Sequence, residues 1–222
     1  MTATERRLGR MRAVYSKAFG AIGPRIEEAL GADRFAAVEA GSPAEMERLA
    51  PTLPELGRGN PLEGTMITAA VLTAVGRTLM AAGDGVEAAG EAMLSIAGLF
   101  YGSLPRAAKR TMRAFFFTPF VVGRYERWSR RPDPVRSPGD WRMTVLRDQD
   151  DCDVRIDFFE CAILKWLTSI GSRELCPYLC STDYESAEAF CLGFKREGTL
   201  AGGADRCDCR YSRRAARSEP AL

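Results

Sequence analysis

The chain has 222 residues, of which 46% are hydrophobic, and its 31 basic and 29 acidic residues give a formal net charge of +2. This composition predicts a globular protein with enough apolar residues for a buried core, and the nearly balanced charge gives no general attraction to nucleic acid or to an anionic membrane. The sequence contains no histidine. Catalytic dyads that pair histidine with serine or cysteine are therefore excluded within the chain, and a metal site would have to use Cys, Asp and Glu.

The cysteine content and the N-terminal residues bear on the cellular compartment. The first residues contain no apolar segment typical of a secretory signal, and the most apolar run, 66–82, includes Arg77 and is short for a membrane span. We therefore expect a cytoplasmic protein with no membrane partner. In that compartment most of the seven cysteines are expected to be thiols that serve catalysis, metal binding or packing.

Residues 1–125 are predicted to form a helical scaffold. The first apolar stripe follows helical spacing and predicts a helix that is interrupted at Gly23-Pro24 (Leu8, Met11, Tyr15, Phe19, Ile22). Residues 40–64 are rich in proline and glycine and predict a connection with at most one short helix near 44–49. Further helices are predicted around 67–79, around 86–100 with Asp84 as a possible cap, and from Pro105 to the region of Pro119.

The C-terminal part has a different pattern, and the whole chain is therefore predicted to have an α+β fold. Residues 126–140 are rich in arginine and proline and predict a linker; no recognised nucleic-acid-binding module accompanies these arginines, so no nucleic acid partner is expected. Residues 141–212 are predicted to hold a small antiparallel sheet with packed helices. Residues 213–222 are predicted to be a disordered tail.

Alternating apolar residues at 141–145 and 154–158 predict a hairpin, and 163–170 return to helical spacing before Gly171. Residues 180–183 are predicted to open a helix over 184–191, with Thr182 and Glu185 in capping-box spacing. Two strands are then predicted at 193–200 and 206–211. In the second of these, Cys207, Cys209 and Tyr211 are expected to face one side of the sheet, with Asp208 and Arg210 on the other.

Cys180 and Asp183 are the first candidates for catalysis. A cysteine at the start of a helix is stabilised as a thiolate by the free backbone amides, and without histidine a buried carboxylate has to act as the general base. The alternative is that Cys180 is a small buried residue and Asp183 an ordinary acid in the first turn. A zinc site formed by Cys176, Cys180, Cys207 and Cys209 is a further alternative, although their spacing differs from the usual two-residue spacers.

Motifs in residues 158–212 resemble those of the L-2-amino-thiazoline-4-carboxylic acid hydrolase family. The motifs are Glu160-Cys161, Glu174-Leu175, Cys180-x-x-Asp183, Arg196-Glu-Gly-Thr-Leu200, Gly202-Gly203 and Cys207-Asp-x-Arg-Tyr211. The sequence departs from the family pattern at Cys209, where the family has phenylalanine. Loss of the ring volume is expected to change the shape of the pocket and the identity of the substrate.

The resemblance implies a hydrolase that opens a small carboxylated cyclic amidine or related C–N heterocycle, with no cofactor and no metal. Cys180 or Cys207 would be the nucleophile, Asp183 or Asp208 would assist the amidine, and Arg210 would bind the substrate carboxylate. Because Asp208 and Arg210 are expected to lie opposite Cys207 on the strand, Cys180 with Asp183, Asp208 and Arg210 is the more coherent set.

Two functions of other classes remain open. The order of helices and hairpin also resembles the small-molecule domain of 4-vinyl-reductase-like proteins, which implies a non-catalytic binding module. A cysteine-rich structural protein that binds zinc is the other. The expected partner is a small molecule, and a homo-oligomer is possible.

Overall fold

A computed structural model describes residues 2–132 and 137–213 and has the predicted α+β fold. Within these residues the helices are α1 (Ala3–Leu30), α2 (Ala32–Leu49), α3 (Glu63–Ala81), α4 (Val86–Ser103), α5 (Arg106–Phe116), α6 (Pro119–Ser129), α7 (Ala162–Ser169) and α8 (Cys176–Ala189). The strands are β1 (Arg142–Gln149), β2 (Cys152–Glu160), β3 (Gly193–Lys195) and β4 (Cys207–Ser212). Single 3-10 turns lie at Ala50–Thr52 and Arg173–Leu175.

Proline does not interrupt the first two helices, so two predictions are wrong. α1 continues through Pro24, and α2 continues through Pro43 in a region predicted to be mostly a connection. A proline inside a helix removes one backbone hydrogen bond, but burial of the apolar face on both sides of it can hold the helix together. In α1 that face includes Ile22 and Ile26, and in α2 it includes Met46.

The core of the helical part is α3, which packs against α1, α2 and α4. Its small residues allow close contact: a Cβ atom on Gly76 would lie 2.4 Å from Sδ of Met93 on α4. Among the described residues, α3 is the one helix long and apolar enough to cross a membrane by length and composition alone. A buried core helix satisfies the same criterion, and most of α3 is buried inside the protein.

The region after α3 differs in detail from the prediction. Asp84 does not cap α4; it accepts hydrogen bonds from Arg34, and Gly85 precedes the helix. The helix predicted after Pro105 is two helices, α5 and α6, and Thr118 caps the second by accepting a hydrogen bond from the Val121 amide. The segment predicted as a linker, 126–140, begins inside α6, and its residues 133–136 lie outside the described residues.

The four strands form one antiparallel sheet in the order β1-β2-β4-β3. The predicted hairpin is confirmed, with Val145 opposite Ile156. Ile156 in turn lies opposite Cys209. Strand β4, which carries the Cys207–Tyr211 motif, is therefore one of the two central strands of the sheet. β3 is shorter than predicted. Of the predicted tail 213–222, only Arg213 lies inside the described residues.

Helix α8 packs along α4, and the ring of Tyr178 on α8 lies directly against Gly90 of α4. A Cβ atom there would lie 2.3 Å from the ring of Tyr178, so this contact requires glycine. Because Tyr178 takes the side of α8 that faces α4, residues on the other side of α8 are directed towards the sheet. This arrangement positions the candidate site.

Candidate active site

A cavity of about 390 Å³ lies between α3, α4, α5 and α6 on one side and α8 and the sheet on the other. Its polar and sulfur-bearing lining residues are Thr65, Thr68, Tyr101, Tyr125, Cys161, Cys176, Cys180, Thr182, Asp183, Ser186, Arg196, Cys207, Cys209 and Tyr211. The apolar lining residues are Leu62, Ala69, Leu72, Met112, Phe116, Trp141, Ile156, Phe158, Ile163, Leu179 and Phe190. Both the helical part and the motif-bearing part therefore contribute to one site.

Helix α8 brings Cys176, Cys180 and Asp183 to the cavity because they are four and three residues apart on one helix face. The helix begins at Cys176, with Pro177 in its first turn, so the predicted start after Cys180 is wrong. Thr182 does not form the predicted cap; its hydroxyl donates to the carbonyl of Leu179 at 2.7 Å. Free amides of a helix start therefore do not stabilise a Cys180 thiolate.

Arg196, just after β3, is the functional candidate to which the sequence prediction assigned no role. Its Nη1 donates to Oδ2 of Asp183 at 2.8 Å, and its Nη2 donates to the carbonyl oxygen of Cys180 at 2.9 Å. The guanidinium also lies 5.4 Å and 5.5 Å from the ring centroids of Tyr184 and Phe194. Its side chain is only 6% exposed, so these contacts fix its position.

Five cysteines line the cavity, and one of them differs from the others in acidity. The pKa of Cys180 is lowered, first because the Cys176 thiol donates a hydrogen bond to it and then because Arg196 is close; these effects outweigh burial. The same hydrogen bond and burial raise the pKa of Cys176. Burial raises the pKa of Cys161 to about 12.

The two cysteines on β4 also keep their protons more strongly than a free thiol does. Burial raises the pKa of Cys207, whose sulfur accepts a hydrogen bond from the Leu200 amide at 3.2 Å. Burial likewise raises the pKa of Cys209. Since the thiolate is the reactive form of cysteine, the direction of its pKa shift makes Cys180 the cavity cysteine best suited to act as a nucleophile.

Asp183 combines a raised pKa with access to the cavity. Its side chain is 41% exposed, and it belongs to the cavity lining. Removal from water raises its pKa, although the positive charge and hydrogen bond of Arg196 oppose the shift. A carboxyl group with a raised pKa keeps its proton to higher pH than a free aspartic acid does, so it can act as a proton donor.

The alternation predicted for β4 agrees with the lining of the cavity. Cys207, Cys209 and Tyr211 line it, whereas Asp208 and Arg210 are not part of the lining and face the other side of the strand. The carboxylate Oδ1 of Asp208 accepts hydrogen bonds from the amides of Glu197 and Gly198, both at 3.0 Å. Arg210 donates to Glu197 at 2.7 Å and pairs with Asp208 at 2.8 Å.

The structure therefore brings together Cys180, Asp183 and Cys207 but not Asp208 and Arg210. Those two residues hold the segment that follows β3, which carries Arg196 at its start. The four cysteines considered as a zinc site all touch the cavity. Within residues 2–132 and 137–213, however, no three His, Cys, Asp or Glu side chains are arranged to hold a metal ion.

Comparison with known proteins identifies a family for this chain but no individual relative. No curated protein and no solved structure matches the chain. The model of the L-2-amino-thiazoline-4-carboxylic acid hydrolase family matches residues 64–211, which is more than half of the chain. This segment runs from α3 to β4 and contains all the cavity-lining residues named above except Leu62. The chain belongs to the L-2-amino-thiazoline-4-carboxylic acid hydrolase family.

Proposed function

We propose that the protein is a hydrolase that opens a cyclic amidine or a related C–N heterocycle, with Cys180 as nucleophile and Asp183 as proton donor and acceptor. Membership of the hydrolase family supports the reaction type. The observation that carries the residue assignment is geometric: Cys180 and Asp183 lie three residues apart on the face of α8 that lines the cavity, and Arg196 donates to both residues. The lowered pKa of Cys180 and the raised pKa of Asp183 agree with these roles. This pair can supply both a nucleophile and a proton without histidine.

The reaction proceeds in two halves at the amidine carbon. The Cys180 thiolate forms a bond to this carbon, the ring bond from the carbon to its leaving heteroatom breaks, and that heteroatom takes a proton from Asp183. A water molecule then adds to the same carbon and gives a proton to Asp183. Cleavage of the bond between the carbon and Sγ returns the Cys180 thiolate and releases a ring-opened urea, with one water consumed.

Arg196 acts as a positioning residue in this scheme. It donates to the Asp183 carboxylate and to the backbone of Cys180, so it fixes the distance between the nucleophile and the acid. Its positive charge lowers the pKa of Cys180. Cys176 contributes the hydrogen bond that stabilises the thiolate. We assign Asp208 and Arg210 to the support of the segment after β3, and not to substrate contact.

Variants of the cavity residues test the assignment. The substrate probe is 2-amino-2-thiazoline-4-carboxylate together with uncarboxylated cyclic amidines, and the ring-opened product is measured by mass spectrometry. Cys180→Ser and Asp183→Asn are expected to lower kcat by about a hundredfold or more. Cys152→Ser is the matched control, because Cys152 lies at the start of β2 and does not line the cavity.

Two outcomes would change the assignment. Unchanged turnover in both Cys180→Ser and Asp183→Asn would contradict it. Loss of turnover in Cys207→Ser, with normal turnover in Cys180→Ser, would move the nucleophile to β4. Alkylation of the resting protein by iodoacetamide gives an independent result, because Cys180 is expected to be modified first among the five cysteines that line the cavity.

A binding module without catalysis is the second candidate, favoured by the size of the cavity and by its many apolar residues. Pockets of this volume commonly enclose small organic ligands. This function predicts tight binding of a cyclic amidine without product, and alkylation of Cys180 no faster than that of an unstructured thiol.

A further inference from the structure

The cavity contains two charged residues among the described lining, Asp183 and Arg196. Arg196 is already engaged through both terminal nitrogens, by Asp183 and by the carbonyl oxygen of Cys180. Asp183 uses Oδ2 in this pair and is otherwise accessible from the cavity. A ligand that enters the cavity therefore meets an accessible carboxyl group and a cation that is already ion-paired with Asp183 and hydrogen-bonded to the Cys180 carbonyl.

The arginine expected to bind a substrate carboxylate does not reach this space. Arg210 faces away from the cavity and is paired with Asp208, Glu197 and Asp151. A carboxylate inside the cavity would lose its hydration without gaining an uncommitted cation among the described residues. It would also be repelled by an ionised Asp183.

The remaining wall is largely aromatic and aliphatic. Seven aromatic side chains line the cavity: Tyr101, Phe116, Tyr125, Trp141, Phe158, Phe190 and Tyr211. Two pairs are in ring contact, Phe116 with Tyr211 at 4.9 Å and Tyr101 with Phe190 at 5.8 Å between centroids. Such a wall favours an apolar, flat ligand surface.

The volume indicates a ligand larger than a single small heterocycle. The cavity of about 390 Å³ corresponds to roughly thirteen water molecules at about 30 Å³ each. An aminothiazoline ring with its carboxylate would leave much of the aromatic wall without contact. Cys209 contributes to the space, because this position of β4 carries a small side chain that faces the cavity.

We propose that the cavity takes a cyclic amidine that carries an aryl or similarly bulky apolar substituent and no carboxylate. The amidine N–H groups donate to Asp183, and the substituent packs against the aromatic wall. The hydrogen bond between an amidine N–H and a carboxyl oxygen of Asp183 is directional, so it orients the amidine carbon relative to Cys180. This inference rests on the proposed function for its reactive group and adds the class of substrate.

Three probes test the substrate class: 2-amino-2-thiazoline, its 4-carboxylate and its 4-phenyl derivative. Dissociation constants are measured by titration calorimetry on the Cys180→Ser protein, and kcat/KM on the native protein. Burial of the phenyl group is expected to tighten binding about tenfold to a hundredfold over the unsubstituted ring. The carboxylate is expected to bind more weakly than the unsubstituted ring, and tightest binding of the carboxylate would overturn the proposal.

Two cavity-filling variants examine where the substituent lies. Cys209→Phe fills the cavity from β4, and Ala69→Met fills it from α3. Each is expected to reduce the preference for the phenyl derivative, whereas Leu146→Phe, on an exposed position of β1, is expected to leave it unchanged. An unchanged preference in both cavity variants would contradict the proposed location of the substituent.

The two proposals fail in different ways. Tight binding of the phenyl derivative without ring opening of any probe would support the ligand class and contradict the hydrolase. Ring opening with the carboxylate as the best substrate would support the hydrolase and contradict the ligand class.

Discussion

Arg196 and Asp183 form an ion pair at 2.8 Å across the gap between β3 and α8, thirteen residues apart in the sequence. The pair links the segment after β3 to α8, the helix that carries the proposed nucleophile Cys180. Arg196 also contributes to the acidity of both candidate catalytic groups: after the Cys176 hydrogen bond, it lowers the pKa of Cys180, and it limits the rise that burial causes in the pKa of Asp183.

Removal of the Arg196 charge is expected to make Cys180 less acidic. In Arg196→Met the thiolate loses a nearby cation, so the pH profile of iodoacetamide alkylation at Cys180 should move to higher pH. The free energy of unfolding should fall by about 1–3 kcal/mol because the Asp183 carboxyl and the Cys180 carbonyl lose their donors. Arg196→Lys keeps the charge and should restore part of the alkylation profile. An identical profile in Arg196→Met and the native protein would contradict the positioning role.

Removal of the hydrogen bond from Cys176 is expected to raise the pKa of Cys180, as removal of the Arg196 charge does. Cys176→Ala removes the donor that contributes most to the lowered pKa of Cys180. Alkylation of Cys180 should therefore require a higher pH, with little change in the melting temperature because alanine is also small and apolar. Cys152→Ala serves as the control, since Cys152 lies outside the cavity lining. A shift of equal size in both variants would show that the effect is not local.

Removal of the Asp183 charge is expected to lower the pKa of Cys180. An ionised Asp183 raises the pKa of Cys180, so Asp183→Asn should move the alkylation profile of Cys180 to lower pH. The shift is expected only where Asp183 is ionised in the native protein, which is above its own raised pKa. Glu188→Gln, an exposed position of α8, should show no shift. A move to higher pH in Asp183→Asn would contradict the arrangement of charges.

Asp208 is expected to stabilise the fold without contacting the substrate. Asp208→Ala removes an acceptor for two backbone amides and the partner of Arg210. The free energy of unfolding, measured by urea denaturation, should fall by about 2–3 kcal/mol. The alkylation profile of Cys180 should remain unchanged, and Asp205→Ala, at an exposed position, should alter neither quantity. Normal stability with greatly weakened substrate binding would restore Asp208 as a substrate contact.

A second polar cluster joins the helical part to the turn that follows α7. Arg77 donates to the buried carboxylate of Glu45 at 2.5 Å and to Ser172 at 2.8 Å. Arg77→Met should lower the free energy of unfolding by about 2–3 kcal/mol, because a buried carboxylate loses a partner. Arg48→Met is the matched control: Arg48 also pairs with Glu45, but its side chain is 70% exposed, so a loss of about 0–1 kcal/mol is expected. Equal losses in the two variants would contradict this difference.

The sequence predicted the fold class and the strand faces but not the complete site. Alternation at 207–211 predicts Cys207 and Cys209 on one face of the strand and Asp208 on the other. The structure agrees, because successive side chains of a β-strand point to opposite faces of the sheet. The sequence prediction starts α8 at 180–183, whereas the helix begins at Cys176. Pro177 was the available signal, because proline is favoured in the first turn of a helix. The role of Arg196 depends on a contact between distant segments, which local periodicity cannot reveal.

Helix α5 differs from the rest of the cavity wall because none of its residues is buried, although Met112 and Phe116 line the cavity. Few buried contacts imply a low free energy of local opening. Backbone amides of α5 should therefore exchange with deuterium faster than those of α3 or α8, and a bound ligand should slow exchange in α5 more than in those helices. A ligand that contacts Met112 and Phe116 would then stabilise α5, and deuterium exchange in this helix would report whether the cavity is occupied.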